Sequence, residues 1–201
     1  MPAPALDFIF DFGSPNAYLT WRVLPDLLER TGARLNLQAC LLGGIFKATG
    51  NQSPVSAFAE VKGKLDYEML ETRRFIARHA LIRYRFNPHF PVNSLLAMRG
   101  LVAAQEMELG DAYAEAVVAG FWERELAMAD PVVVQGVLDE AGLPGAALLA
   151  KTQDPAVKAR LIANTEAAVA RGAFGVPTFF VGEEMFFGKE RLGQVEEALA
   201  L

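Results

Sequence analysis

The stretch Leu6-Asp7-Phe8-Ile9-Phe10-Asp11-Phe12-Gly13-Ser14-Pro15-Asn16-Ala17-Tyr18-Leu19 decides how this chain is read. Leu6, Phe8, Phe10 and Phe12 alternate with Asp7, Ile9 and Asp11, the period-two pattern of a β-strand. Past Gly13 the period changes, and Tyr18, Leu19, Trp21, Val23 and Leu24 recur at roughly helical spacing. Ser14 therefore stands at a helix N-cap, with Pro15 at the first helical position, where a missing N–H costs nothing. The first N–H groups of a helix lack intrahelical partners and the helix dipole favours negative charge, so an anion beside Ser14 would be stabilised.

Outward from this point, the helix runs to about Arg30 and Thr31-Gly32 stops it; Arg34 to Ala39 then alternates as a second strand. Strand, helix, strand implies a right-handed parallel crossover. Ligands bind at the carboxyl ends of such strands, which is where Ser14 lies. Near the other end, Thr178 to Val181 and Met185 to Phe187, joined by Gly182-Glu183-Glu184, read as a β-hairpin. A last helix begins near Glu190, with Leu192, Val195 and Leu199 as its apolar stripe. From about Ile45 to Arg171 only helical patterns occur. Asp130-Pro131 and Asp154-Pro155 each put a capping acid before a proline. Val132, Val133, Val137 and Leu138 fit one helix face; Val157, Leu161, Ile162, Thr165 and Val169 fit another. The fold class expected is α/β, with a helical block inserted between two β-rich ends.

With 201 residues, 52% of them hydrophobic, the chain can bury one core of ordinary size. The longest run without Asp, Glu, Lys or Arg, Phe86 to Met98, is too short and too broken by Pro88 and Pro91 to span a bilayer. The N-terminus lacks the basic and then apolar pattern of a signal peptide, so a cytoplasmic protein with no membrane partner is expected. A net charge of −5 argues against a nucleic-acid partner and leaves a small molecule as the expected ligand. The single cysteine, Cys40, excludes an internal disulfide and, beside Ala39, Leu41 and Leu42, reads as a core residue. His79 and His89 lie far apart without cysteine neighbours, so no metal site is expected.

Strand, Ser-Pro-x-x-Tyr-Leu, helical insertion and Gly-Val-Pro-Thr before a hairpin together resemble the disulfide oxidoreductases of the DsbA type, with Ser14 and Ala17 where their redox motif has cysteines. A serine there can hydrogen-bond but cannot form a disulfide. A narrower resemblance spans nearly the whole chain. Phe12 to Leu19, Leu41-Leu42-Gly43-Gly44-Ile45-Phe46-Lys47 with Gly50-Asn51, Asn87-Pro88-His89-Phe90-Pro91, and Gly172 to Phe179 are similar, in that order, to 2-hydroxychromene-2-carboxylate isomerases and the related kappa-class glutathione transferases. The fold this implies is a thioredoxin-like domain built from residues 1–45 and 172–201, carrying an all-helical insertion, residues 46–171.

The resemblance implies glutathione as cofactor, with Ser14 facing its sulfur as the catalytic residue. It implies that the Val176 backbone, ahead of a cis-Pro177, pairs with the cysteinyl part like an added strand. Asn51 would sit near the cofactor and Lys47 near the cofactor or an anionic substrate. Lys189 and Glu190 stand where the family receives the γ-glutamyl end, although a small polar residue followed by Asp is the family pattern. Lys62 and Lys64 are both candidates for a cation the family places nearby, and Tyr84, Phe86 and Asn87 would line the acceptor pocket. Each role has a plainer counterpart: a capping pair at Ser14-Pro15, a rigid turn at Val176-Pro177, a solvated Lys47, and core packing for Tyr84, Phe86 and Asn87. The implied activity is glutathione-dependent isomerisation of an aromatic, carboxylate-bearing enone in a homodimer. Alternatives are a kappa-type transferase or peroxidase, and a non-catalytic thioredoxin-like binding module.

Overall fold

The structure, a computed structural model, describes residues 3–200. Strand β1 (Ala5–Phe10) leads through Ser14 into α1 (Pro15–Thr31) and back into β2 (Arg34–Ala39), which pairs parallel with β1. Gly32 ends α1 in the left-handed conformation, φ +64°, and returns its N–H to Leu28 O. The strand stops at Phe10 rather than Phe12, because the Asp11 carboxylate takes the Gly13 N–H at 2.8 Å and turns the chain out of the ladder.

The helices follow: α2 (Leu42–Thr49), α3 (Pro54–Ala57), α4 (Lys64–Arg78), α5 (Leu95–Glu106), α6 (Gly110–Trp122), α7 (Pro131–Glu140), α8 (Gly145–Lys151) and α9 (Pro155–Ala170). Asp130 and Asp154 cap α7 and α9 by accepting the N–H groups of Val132 and Ala156, each at 2.8 Å. The chain then returns as β3 (Thr178–Val181) and β4 (Glu184–Phe187), with Gly182 at φ +57° in the hairpin turn, and closes with a 3-10 turn (Lys189–Arg191) and α10 (Leu192–Leu199). The strand order is β2-β1-β3-β4, and β3 runs antiparallel to both of its neighbours.

The alternation of β1 accounts for both faces of this sheet. Leu6, Phe8 and Phe10 point to one side, where Phe8 stacks on its cross-strand partner Phe179 with ring centres 5.0 Å apart. Their cluster continues without a break into Tyr18 and Leu24 of α1, Leu101 of α5 and Phe121 of α6. Ile9 points to the other side and meets Cys40, Ile45 of α2, Ala168 of α9, Val176 and Phe180. No helix among the described residues is long and apolar enough to cross a membrane.

Candidate active site

Ser14 caps α1 as its sequence position predicts. Its Oγ accepts the Ala17 N–H at 3.2 Å, its carbonyl accepts the Tyr18 N–H at 3.2 Å, and only 5% of the residue is exposed. The same hydroxyl donates to Val176 O at 3.4 Å, and the Val176-Pro177 peptide is cis. At that length the bond is weak and easily exchanged for a better acceptor. Pro177 O in turn accepts the Gly188 N–H at 2.9 Å, so the strand-end serine, the proline turn and the start of the Lys189 turn form one connected edge.

Lys189 lies inside the fold. It is 2% exposed, its ammonium lies 5.8 Å from the centre of the Phe75 ring, and it is paired with Glu190. The pair is thus an internal ion pair before any ligand arrives, with Glu190 its half-exposed member. Both residues line a cavity of about 380 Å³ between α1, α4 and α10, together with Leu27, Glu71 and Phe75.

The remaining predicted residues separate. Lys47 and Asn51 are exposed near the C-terminal end of α2, whose N-terminal Leu42 is the part tied to the Ser14 loop. At about 1.5 Å of rise per residue, Lys47 stands about 7–8 Å further along that helix. Lys64 pairs with Glu68 and lies 5.3 Å from the Phe58 ring centre, whereas Lys62 is exposed. Asn87 does not line a pocket: it is fully buried, its amide donates to Phe121 O at 2.8 Å and Leu126 O at 2.9 Å, and its carbonyl accepts the His89 N–H. A side chain with its amide donors and acceptor committed to backbone holds a loop in place. Tyr84 is packed between the rings of Tyr18 and Trp122, and burial pushes its hydroxyl up to about 12, so it stays protonated at neutral pH. Phe86, 57% exposed, offers an open ring against Phe90 and Trp122.

Two supports of the Ser14 loop escaped the sequence reading. Trp122 Nε1 donates to Phe12 O at 2.8 Å from α6. Asp11, placed on a polar strand face by alternation, is wholly buried; the signal that could have found it is the Asp-x-Gly spacing of an Asx turn. Cys40 is buried as expected, and burial together with the Asp11 charge pushes its thiol up to about 12.

The sequence profile of the DSBA-like thioredoxin domain matches residues 5–200. A 2-hydroxychromene-2-carboxylate isomerase of Pseudomonas sp. (strain C18) is 31% identical over 196 residues, which cover 96% of this chain and 89% of that one. The chain belongs to the 2-hydroxychromene-2-carboxylate isomerase family. A solved structure of a 2-hydroxychromene-2-carboxylate isomerase superposes with a TM-score of 0.81 at 29% identity, covering 97% of this chain and 94% of the other. A relative with a different name is also similar: glutathione S-transferase kappa 1 of Rattus norvegicus is 29% identical over 205 residues, covering 95% of this chain and 89% of its own. The expected DsbA-like thioredoxin fold is thereby borne out, and this isomerase-family member carries it with Ser14 and Ala17 at the redox positions.

Proposed function

We propose that the protein is a glutathione-dependent isomerase acting on an aromatic, carboxylate-bearing enone of the 2-hydroxychromene-2-carboxylate type. The observation that carries this reading is the Ser14 hydroxyl, held at a helix N-terminus and facing the Val176-Pro177 turn. The fit to glutathione rests on three features of that edge. The long Ser14–Val176 bond leaves a donor to be redirected, the turn offers backbone for strand-like pairing, and the pair of buried Lys189 with half-exposed Glu190 suits a zwitterionic end.

The chemistry glutathione supplies when bound is a thiolate that adds reversibly to a conjugated carbon, so that the former double bond can rotate before the thiolate leaves. Ser14 would turn its hydroxyl from Val176 O to the sulfur. A hydrogen bond to a charged acceptor contributes about 1.5–3 kcal/mol and the helix terminus about 0.3–1 kcal/mol. Together they lower a thiol pKa by roughly 1.5–3 units, enough to bring a thiol near 8.5 to neutrality or below. Lys189 would meet the γ-glutamyl carboxylate and Glu190 its ammonium, while Asn51 reaches the cofactor and Lys47 an anionic substrate. The Phe86 ring, with Tyr84 behind it, would form an apolar wall for the aromatic acceptor. We retain residues 1–45 and 172–201 as the thioredoxin-like part and 46–171 as the insertion that shapes the acceptor side.

A kappa-type transferase is the second reading, favoured by the kappa relative. Titrating glutathione into wild type and Ser14→Ala, with binding heat and thiolate absorbance followed together, tests the first reading. Wild-type binding with thiolate, lost in the variant, supports it; absence of binding in both proteins overturns it. Mass spectrometry of the product then separates an isomerised acceptor from a glutathione conjugate.

A further inference from the structure

Beside the Ser14 loop lies a carboxylate that the proposed chemistry leaves idle. Asp11 Oδ1 accepts the Gly13 N–H at 2.8 Å, Oδ2 accepts the Leu42 N–H at 2.7 Å, and the Ser94 hydroxyl donates to the same carboxylate. These donors come from three places: the turn that carries Ser14, the first residue of α2, and the residue before α5. The Asp11 carbonyl also accepts the Ser14 N–H, at 3.2 Å. Among the described residues no lysine or arginine pairs with Asp11, so three neutral donors alone offset the burial of its charge. Burial raises its pKa and the three hydrogen bonds oppose the rise. An apolar residue would be easier for the core to hold.

We propose that Asp11 is a positioning residue for the Ser14 site: its carboxylate clamps the Gly13-Ser14 turn to the start of α2 and so sets where the Ser14 hydroxyl meets a bound sulfur. This rests on Ser14 being the thiol-facing residue. Two backbone N–H groups, one on each oxygen, require a group that accepts on both. Asparagine has the same shape but only one acceptor, and its NH2 would face Gly13 or Leu42 donor to donor. Cys40 is the titratable group nearest in effect to Asp11, and its high pKa keeps it neutral while a bound thiol titrates.

The test compares wild type, Asp11→Asn and Ser94→Ala in the full chain, following glutathione thiolate absorbance against pH and steady-state turnover. In Asp11→Asn the thiolate midpoint is expected to rise by about one pH unit or more. kcat at neutral pH should fall about tenfold or more, with KM for the acceptor little changed. Ser94→Ala should move both in the same direction by less. An unmoved midpoint in a folded Asp11→Asn protein overturns the proposal. So does a lowered one, which would mean that the carboxylate acts only by its charge. If Asp11→Asn does not fold, Ser94→Ala decides by the same readings. If wild type binds no glutathione, the functional reading has failed and the clamp is read directly: amide exchange at Ala17 should quicken in the Asp11→Asn or Ser94→Ala protein while Phe180 stays protected, and unchanged exchange at Ala17 overturns it.

Discussion

Ser14 and Val176 lie 162 residues apart, yet the hydroxyl of one reaches the carbonyl oxygen of the other at 3.4 Å. The contact closes the edge between the two ends of the chain, and both partners are nearly buried. Ser14→Ala should cost about 1 kcal/mol of stability, as loss of a helix cap does, measured by denaturant unfolding. Isomerase turnover should fall by about 10²-fold or more, as when a donor to developing charge is removed. Near-wild-type turnover would take Ser14 out of the mechanism.

The buried Lys189 separates ligand binding from folding. Met has a similar length and packs against Phe75 without an ammonium, and Glu190 is exposed enough for water to solvate it once alone. Lys189→Met is therefore expected to leave stability unchanged or slightly raised. Glutathione affinity should weaken by about tenfold, read by calorimetry. Unchanged affinity would place the γ-glutamyl end elsewhere.

Asn87 is expected to behave as a structural residue. Asn87→Ala removes hydrogen bonds to Phe121 O, Leu126 O and the His89 N–H at a fully buried position, a loss of about 2–4 kcal/mol in equilibrium unfolding. A neutral substitution would show that the loop has another anchor.

Gly100 of α5 faces the Tyr113 ring of α6. A Cβ there would fall 2.0 Å from Tyr113 Oη and 2.6 Å from Cζ, and Tyr113 is locked by donating to Ala97 O at 3.0 Å. Gly100→Ala should destabilise by about 1–3 kcal/mol despite the better helix propensity of alanine, as a shift in thermal midpoint would show. Tyr113→Phe in that background should recover part of the loss.

Cys40 has a pKa raised to about 12 in the folded protein against 9.0 for the free group. Because the rise comes from burial, it leaves stability untouched below about 9, where the thiol is protonated in both states. Stability falls as pH rises from about 9 towards about 12, because only the unfolded thiol ionises freely there. At neutral pH an alkylating reagent should label Cys40 only after unfolding; rapid labelling of the native protein would contradict its burial.

Much of the fold was legible in short stretches. The cap at Ser14, the stop at Gly32, the capping acids at Asp130 and Asp154 and the hairpin turn at Gly182 depend on dihedral preferences and hydrogen bonds spanning a few residues, which a local reading can follow. The strand alternation of Leu6, Phe8 and Phe10 likewise anticipated a buried sheet face. Asp11 broke that pattern because its three hydrogen-bond donors arrive from residues 13, 42 and 94, and the last two are distant in sequence.

Residue type and spacing alone set the order of the elements, the serine at the helix start and the absence of a second cysteine for disulfide chemistry. Which side chains face solvent was set by packing between distant segments. Lys189 is buried with its ammonium 5.8 Å from the Phe75 ring centre, Asn87 is spent on the carbonyls of Phe121 and Leu126, and Phe86 is left open to solvent beside Phe90 and Trp122. Burial is a property of what packs against a residue, and for Lys189 and Asn87 groups that pack against them lie on another segment of the chain.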